Sequence, residues 1–253
     1  AIFIVVPLFI VVYYAFTDRS GAFSLSNITA LADYKDTFII SVWYSVIATV
    51  ITLVIAYPFA YALSRFGANT QRMMMLLVML PMWMNLLIRT YSWMNILERN
   101  GIINNVLAGF GIEPLKMIGT PGAVILGMVY NYLPYMILPI YSVMAKMDTR
   151  LIEAARDLGC NSLGVLRRVI FPLSLPGVVS GITMVLIPSI STFYISQKLG
   201  NGKFFLIGDA IEGQYVANNL HFAAAIAFIL MLILLAAMAL MKRGTNKRVY
   251  GGV

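Results

Sequence analysis

Residues 150–177 read RLIEAARDLGCNSLGVLRRVIFPLSLPG, a charged segment that leads directly into an apolar one. Residues 150–168 include six charged side chains, in a chain that is 60% hydrophobic and only 11% charged. Residues 169–197, in contrast, carry no charge at all. Because a helix rises about 1.5 Å per residue, such a run is long enough to cross the ~30 Å hydrocarbon core of a membrane. The stretch therefore predicts a junction between a water-exposed loop and a membrane span.

Uncharged runs of this kind recur along the whole chain, and the mean hydropathy is +0.86. Six predicted spans result, of which only the third contains a charge, Arg89: residues 1–17, 37–64, 73–97, 117–145, 169–197 and 222–241. We therefore predict an all-α, polytopic membrane protein. The first run has no basic segment before it and no small-residue cleavage site after it, which disfavours a signal peptide. Because that run is short and opens without methionine, we expect further residues to precede it.

The net charge of +8 is distributed unevenly between the two sides of the membrane. The alternate segments 65–72, 146–168 and 242–253 hold eleven Lys and Arg against three acids, whereas the opposite segments hold six against seven. Basic loops remain in the cytoplasm, so both termini and the loop at 146–168 are expected there. The excess charge therefore requires no nucleic-acid partner. Cys160, the single cysteine, would lie in the reducing cytoplasm, where we expect it only to pack in a turn.

The first half of the quoted stretch predicts a short amphipathic helix. Its apolar residues recur at helical spacing and form one stripe: Leu151, Ala154, Ala155 and Leu158. Gly159 is expected to end this helix, and Asn161 or Ser162 to cap a second short helix that ends at Pro172. Three roles compete: binding to lipid headgroups, packing against the protein's own bundle, and docking on a partner. The small side chains give little insertion energy in lipid and favour docking on a protein.

The same stretch resembles the EAA loop of permeases from ABC importers. Glu153-Ala154-Ala155, Gly159 and the residues 169–172 (VIFP) follow the long, fixed spacing of that motif. The resemblance implies that the loop at 146–172 contains a coupling helix that sits in a groove of an ATP-hydrolysing subunit. It also implies polar contact through Glu153 and a turn at Gly159. The implied coupling residues are Glu153, Ala154, Ala155, Asp157, Leu158 and Gly159.

The resemblance covers nearly the whole chain and is greatest to permeases that import the polyamines spermidine and putrescine. It is carried by residues 80–93 (LPMWMNLLIRTYSW), 127–144 (GMVYNYLPYMILPIYSVM) and 187–196 (IPSISTFYIS). It implies one permease domain over 1–253, with the six helices of the type I importer fold, in the cytoplasmic (inner) membrane of a bacterium. An ABC permease for another small solute, such as an opine, thiosulfate or ferric ion, is the alternative.

The resemblance also implies the partners. These are a second homologous permease, two ATP-binding subunits, an extracytoplasmic polyamine-binding protein and membrane lipid. The sequence contains no GxxxxGK[ST] phosphate loop, since residues 200–203 lack its spacing, so ATP and Mg²⁺ are expected in the partner ATPase and no cofactor on this chain. One histidine, His221, and one cysteine provide no standard zinc or cysteine-nucleophile site. An enzyme and an ion-coupled transporter, which needs a membrane-embedded acid, are both disfavoured.

A translocation path is predicted from polar and aromatic residues inside the spans. Asn131 and Tyr135 share a face of the fourth span with Ser142, and Asn85 and Arg89 share a face of the third with Ser92. Polar faces of membrane helices turn toward the bundle interior or water. The candidate residues are Trp83, Asn85, Arg89, Asn131, Tyr135 and Tyr194. The aromatic residues could offer cation–π contacts or simply pack, and Arg89 could be structural or part of a gate. Since every acid falls between the spans, no carboxylate is expected inside the membrane for a cationic cargo.

Overall fold

The computed structural model describes residues 2–18 and 20–250, and within them the chain is a bundle of α-helices without a named strand. The helices are α1 (Ile2–Ala15), α2 (Ser26–Thr29), α3 (Lys35–Ser64), α4 (Ala68–Trp83), α5 (Leu86–Leu97), α6 (Ile102–Gly109), α7 (Pro121–Met144), α8 (Thr149–Asp157), α9 (Ser162–Val165), α10 (Phe171–Ile190), α11 (Tyr194–Leu199), α12 (Ile207–Val216) and α13 (Leu220–Tyr250). A 3₁₀ turn (Ala30–Tyr34) precedes α3, and a π-helical turn (Leu166–Ile170) joins α9 to α10.

Four of the helical segments are long and apolar enough to cross a membrane: Ser26–Ser64, Pro121–Met144, Ser162–Ile190 and Leu220–Ala239. The apolar helix Val5–Ala15 is shorter than a span. The predicted third span, residues 73–97, is not one straight helix, because α4 and the segment Leu86–Gly109 meet at a bend of 93°. The side chains of Lys242, Arg243, Lys247 and Arg248, which carry part of the predicted cytoplasmic charge, lie outside those that the structure describes.

The bend between α4 and α5 follows from Pro81 and Asn85. Pro81 lies in the last turn of α4, where its ring cannot donate a backbone hydrogen bond and disfavours further helix. Met84 is extended, and Asn85 then begins α5 by accepting a 2.7 Å hydrogen bond from the Leu87 amide on its side-chain Oδ1. A single straight span for residues 73–97 is therefore wrong.

The centre of the bundle is formed by α3, α7 and α10. Two glycines of α10 lie directly on the α7 backbone: a Cβ added to Gly177 would lie 2.8 Å from the Pro139 carbonyl oxygen, and one added to Gly181 would lie 2.7 Å from the Met136 sulfur. The GxxxG sequence of residues 177–181 thus brings two helices into close contact, as such motifs do in membranes. Ala56 and Ala60 of α3 are completely buried in the same core.

The helix after residue 161 is longer than the sequence predicted. α9, the π-helical turn and α10 form one continuous segment, Ser162–Ile190, so the second short helix expected to end at Pro172 is the beginning of the fifth span. Pro172 has no amide hydrogen to offer the carbonyl one turn earlier, and the wider π turn accommodates this defect without ending the helix.

Candidate functional site

The first candidate site, residues 148–165, is a helix, a tight turn and the start of the next helix; we call it the Gly159 turn. Asp148 caps α8 by accepting a hydrogen bond from the Arg150 amide at 2.9 Å. At the other end, the Gly159 amide donates to the Arg156 carbonyl and the Cys160 amide to the Ala155 carbonyl, the two bonds of a Schellman motif. Gly159 has φ +82°, the left-handed conformation that glycine adopts without strain.

The predicted end of the helix at Gly159 is therefore confirmed, and so is one of the two proposed caps. Asn161 Oδ1 accepts a 2.8 Å hydrogen bond from the Gly164 amide, so Asn161 and not Ser162 caps the next helix. A Cβ on Gly159 would meet no atom within 4 Å. Backbone conformation alone, and not space, thus requires glycine at this position.

The apolar residues of α8 do not form the single stripe that the sequence predicted. Ala155 is buried together with Ile152 in the core beneath the helix. Leu151 and Ala154 are exposed, and Leu158 is 86% exposed at the tip of the turn. Among the other predicted coupling residues, Glu153 and Asp157 are exposed one turn apart. The helix is attached to its own bundle by one face and leaves a second, partly apolar face free.

The second candidate site lies where α5, α7 and α11 meet, at the opposite end of α10 from the Gly159 turn; we call it the Arg89 wall. Arg89 Nε and Nη1 are buried without a hydrogen-bond partner among the described residues. Arg89 belongs to α5, which packs against α7, the helix that carries Tyr132. Tyr132 donates to the Pro188 carbonyl at 3.1 Å, and its ring packs edge-to-face against Tyr135 at 6.4 Å.

The structure brings some predicted path residues together and separates others. Tyr135 packs against Tyr132, which was not predicted, and Arg89 lies on the neighbouring helix α5. Trp83 is 72% exposed at the end of α4, and Asn85 is used as the cap of α5. Asn131 is buried, donates to the Gly127 carbonyl at 2.8 Å and leaves its Oδ1 without a partner among the described residues. Arg89 and Tyr135 thus lie on two neighbouring helices, α5 and α7.

Tyr194 belongs to a separate small helix and not to the fifth span. α10 ends at Ile190, and Tyr194 opens α11, where its ring lies edge-to-face against Tyr91 of α5 at 6.4 Å. The Lys198 ammonium lies near both rings. Neither Tyr91 nor Lys198 was predicted. The only signal in the sequence was the i, i+4 spacing of Tyr194 and Lys198, since their contact with Tyr91 depends on the bend before α5.

Asp209 is a buried carboxylate that lies between the spans, as every acid of the chain was predicted to. It lies in α12 and is only 4% exposed. Its Oδ2 accepts a 2.8 Å hydrogen bond from the Leu206 amide; Ser196 and Gln197 are near the carboxyl group, but Oδ1 lacks a partner of good geometry. Burial raises the pKa of Asp209 from its usual value to about 6. From the sequence, Asp209 was placed in a loop. The apolar residues of α12 do not recur with a clear helical spacing, so this short helix was not predicted.

A family model matches residues 57–247, which include both candidate sites; its description is "Binding-protein-dependent transport system inner membrane component". The chain belongs to this family. It is therefore a multi-pass component of an inner-membrane transport system, a permease subunit that works with other subunits and is not itself catalytic.

Named relatives cover almost all of the permease. It is 37% identical to the spermidine/putrescine transport system permease protein PotB of Haemophilus influenzae, over 97% of this chain and 89% of the relative. Identity to PotB of Escherichia coli K12 is 34%, over 92% of this chain and 89% of the relative. A probable sulfate transport system permease of Helicosporidium is 25% identical over 94% of this chain and 87% of the relative.

Solved structures agree on the fold. A bacterial ABC transporter that imports the acidic polysaccharide alginate superimposes with a TM-score of 0.76, at 14% identity, over 97% of this chain and 90% of that chain. The permease thus has the type I importer fold that its sequence predicted.

Proposed function

We propose that this permease is a subunit of an ATP-driven importer of polyamines, spermidine and putrescine in particular. The observation that carries the proposal is the 34–37% identity, over nearly the whole chain, to relatives named for the transport of these two compounds. The sulfate relative is less similar, at 25% identity, which favours a polyamine over another small solute. Aromatic rings in the Arg89 wall fit a cationic cargo, because ring faces attract ammonium groups.

The Gly159 turn would dock on an ATP-hydrolysing subunit. Leu158, 86% exposed, and the exposed Glu153 and Asp157 provide one apolar and two acidic contacts on a helix whose other face is already anchored by Ile152 and Ala155. Movement of the partner would therefore be passed to the bundle through packed side chains. In this assignment ATP and Mg²⁺ are held by two such subunits, and this chain binds no cofactor.

A second, similar permease would complete the path, and a binding protein outside the membrane would deliver the polyamine. One solved relative of the same fold is described as a bacterial alginate transporter in complex with a pentasaccharide-bound periplasmic protein. The charge excess of the segments at 65–72, 146–168 and 242–253 supports an orientation with both termini and the Gly159 turn in the cytoplasm.

The test is uptake by the whole complex reconstituted in vesicles. Labelled putrescine and spermidine are supplied with the binding protein, and unlabelled spermidine, putrescine, thiosulfate and ferric chelates are added as competitors. We expect ATP-dependent uptake that the polyamines inhibit and the other solutes do not. No ATP-dependent uptake of either polyamine, or uptake that thiosulfate or a ferric chelate inhibits as strongly as the polyamines do, would overturn this assignment in favour of the alternative.

A further inference from the structure

A lysine ammonium lies in a corner formed by two tyrosine rings in the Arg89 wall. Lys198 Nζ is 5.4 Å from the centroid of the Tyr91 ring and 5.7 Å from that of Tyr194. The two rings are inclined at 79°, so they form two walls around the same cation. Both distances are within the ~6 Å over which a ring face attracts an ammonium group. The Tyr91–Tyr194 corner is therefore a site that already holds an alkylammonium group, supplied by the protein itself.

The rings are carried by packed helices, whereas the lysine ammonium is at the end of a flexible stem. α11 is anchored to α7 by Ile195 and Leu199, which are completely buried. The fit is so close that a Cβ on Gly127 of α7 would lie 2.4 Å from Leu199 Cδ1. Tyr194 and Lys198 lie on the other, partly exposed side of α11, and Tyr91 is 46% exposed. Solutes can thus reach the corner, and its walls need not move when the ammonium leaves.

Contact with Lys198 is not what joins the two helices. Tyr194 and Lys198 belong to the same short helix, and Tyr91 and Tyr194 already touch edge-to-face without the lysine. The ammonium group therefore adds little to the packing of α5 on α11. Its position fits the affinity of the two rings for a cation, together with a polar interaction with the Tyr91 hydroxyl.

We propose that the Tyr91–Tyr194 corner binds a primary ammonium end of the cargo, and that Lys198 occupies it as a tethered substitute while cargo is absent. The inference rests on the proposed function. The lysine side chain is an aminobutyl group, the same chemical group that ends a putrescine or spermidine molecule. Displacement breaks no covalent bond: one ammonium group replaces another on the same ring faces.

A tethered competitor makes the corner a weak site. A group on a short flexible linker acts at an effective concentration in the millimolar range, which cargo must exceed before it replaces Lys198. Cargo released into a closed complex meets this condition locally, whereas dilute cargo in the medium does not. When the cargo moves on, the lysine returns and prevents it from binding again. The corner would thus favour onward movement of the polyamine.

The test is direct binding of radiolabelled spermidine to the reconstituted complex without binding protein and without ATP. Lys198→Met keeps an unbranched side chain and removes the ammonium group, so we expect spermidine affinity to rise roughly three- to tenfold. Lys198→Arg keeps a cation and should remain close to the wild type. Lys203→Met removes an equal charge from an exposed position nearby along the chain and should produce no gain.

The decisive variant combines Lys198→Met with Tyr91→Leu. The increase in spermidine affinity caused by Lys198→Met should vanish when one ring is missing. A gain that persists without Tyr91, or that Lys203→Met reproduces, would mean simple charge repulsion and would overturn the proposal. If Lys198→Met lowers thermal stability and does not raise spermidine affinity, Lys198 only stabilises the packing of the helices. That result would also overturn the proposal. If the wild-type complex transports no polyamine, the proposed function fails as well; if it does and Lys198→Met gains nothing, only the corner is excluded.

Discussion

In the Gly159 turn the polar backbone groups at the end of the helix have partners, whereas the Arg89 wall keeps polar side-chain atoms without any. The amides of Gly159 and Cys160 both bond to carbonyls of α8, and the exposed side chains include the large apolar one of Leu158. In the wall, two nitrogens of Arg89 are buried without a partner among the described residues.

The difference indicates two kinds of partner. A surface that docks on another protein can complete its own hydrogen bonds and leave apolar area to be covered, because burial of that area supplies the binding energy. Polar atoms buried without partners cost free energy that a structure recovers only when something arrives to satisfy them. The Gly159 turn fits a lasting protein contact, and the Arg89 wall fits a solute or water that comes and goes.

The largest effect is expected from Gly159→Val, which tests the Gly159 turn. A β-branched residue at φ +82° is strained by about 1–2 kcal/mol or more, so the Schellman turn should be lost although the site has room for the side chain. We expect ATP hydrolysis to lose its stimulation by loaded binding protein and uptake to stop, with the spans still folded. Gly159→Asn is the matched control, since asparagine tolerates the left-handed region. Normal stimulation in Gly159→Val would exclude the turn from coupling.

The next effect concerns Asp209 and the pH dependence of stability. Its folded pKa of about 6 is above its unfolded value, so the native state binds more protons between about pH 4 and 6. Stability should therefore fall as pH rises through that window, by about 3 kcal/mol in total from this group. Asp209→Asn should remove this part of the profile in thermal unfolding at pH 4.5 and 7.5. Glu113→Gln, at an exposed acid, is the control and should not.

An unchanged profile in Asp209→Asn would mean that the carboxyl group reaches water through its free Oδ1 and is not truly buried. The Asp209 carboxyl group would then be hydrated, like the exposed carboxyl groups of the Gly159 turn and unlike the buried nitrogens of Arg89.

A smaller effect is expected from Tyr135→Leu in the Arg89 wall. Tyr135 is 38% exposed and touches Tyr132 through its ring. Loss of the ring face should slow polyamine uptake about three- to tenfold, or about 0.6–1.4 kcal/mol, with unchanged affinity of the binding protein. Uptake rate, binding-protein affinity and thermal stability are compared with those of Tyr135→Phe, which keeps the ring. Full transport in Tyr135→Leu, or a defect matched by lost stability, would remove Tyr135 from the path.

The smallest effect is a change in the labelling rate of Cys160. This free thiol is half-buried beside Gly159, so it should react with a maleimide, and more slowly once an ATPase subunit covers the turn. A membrane-impermeant maleimide should reach it only from the cytoplasmic side. Labelling of intact cells from outside would contradict the orientation that the distribution of Lys and Arg predicts.

Much of the Gly159 turn could be predicted because its structure is decided locally. A glycine after a helical period and an asparagine before the next helix are sufficient to place Gly159 and Asn161. The error there was Ala155, which faces the core, since spacing alone does not reveal which side of a helix a neighbouring span covers. The continuity of Ser162–Ile190 was missed because Pro172 normally ends a helix, and the π turn compensates for it.

Less of the Arg89 wall could be predicted, because it depends on contacts between distant parts of the chain. The bend was partly visible: Pro81 and, four residues later, Asn85 are an ordinary stop and start of helices. The contact of Tyr91 with Tyr194 and Lys198 could not be predicted, since it depends on the direction that α5 takes after that bend. Burial of Asp209 likewise depends on helix packing that no local period describes.

One consequence concerns the continuous segment Ser162–Ile190, which at about 1.5 Å per residue is a rod of about 43 Å. Its tightest contact, at Gly177 and Gly181, lies about 22 Å from the end at Ser162 and about 13 Å from the end at Ile190. If this rod turns as one body about the two glycines, it is a lever with unequal arms. A push of about 3 Å at the Gly159 turn would move the other end by about 2 Å in the opposite direction, with correspondingly greater force. That shorter arm ends four residues before Tyr194, so the greater force would act next to the two tyrosine rings that hold a cation.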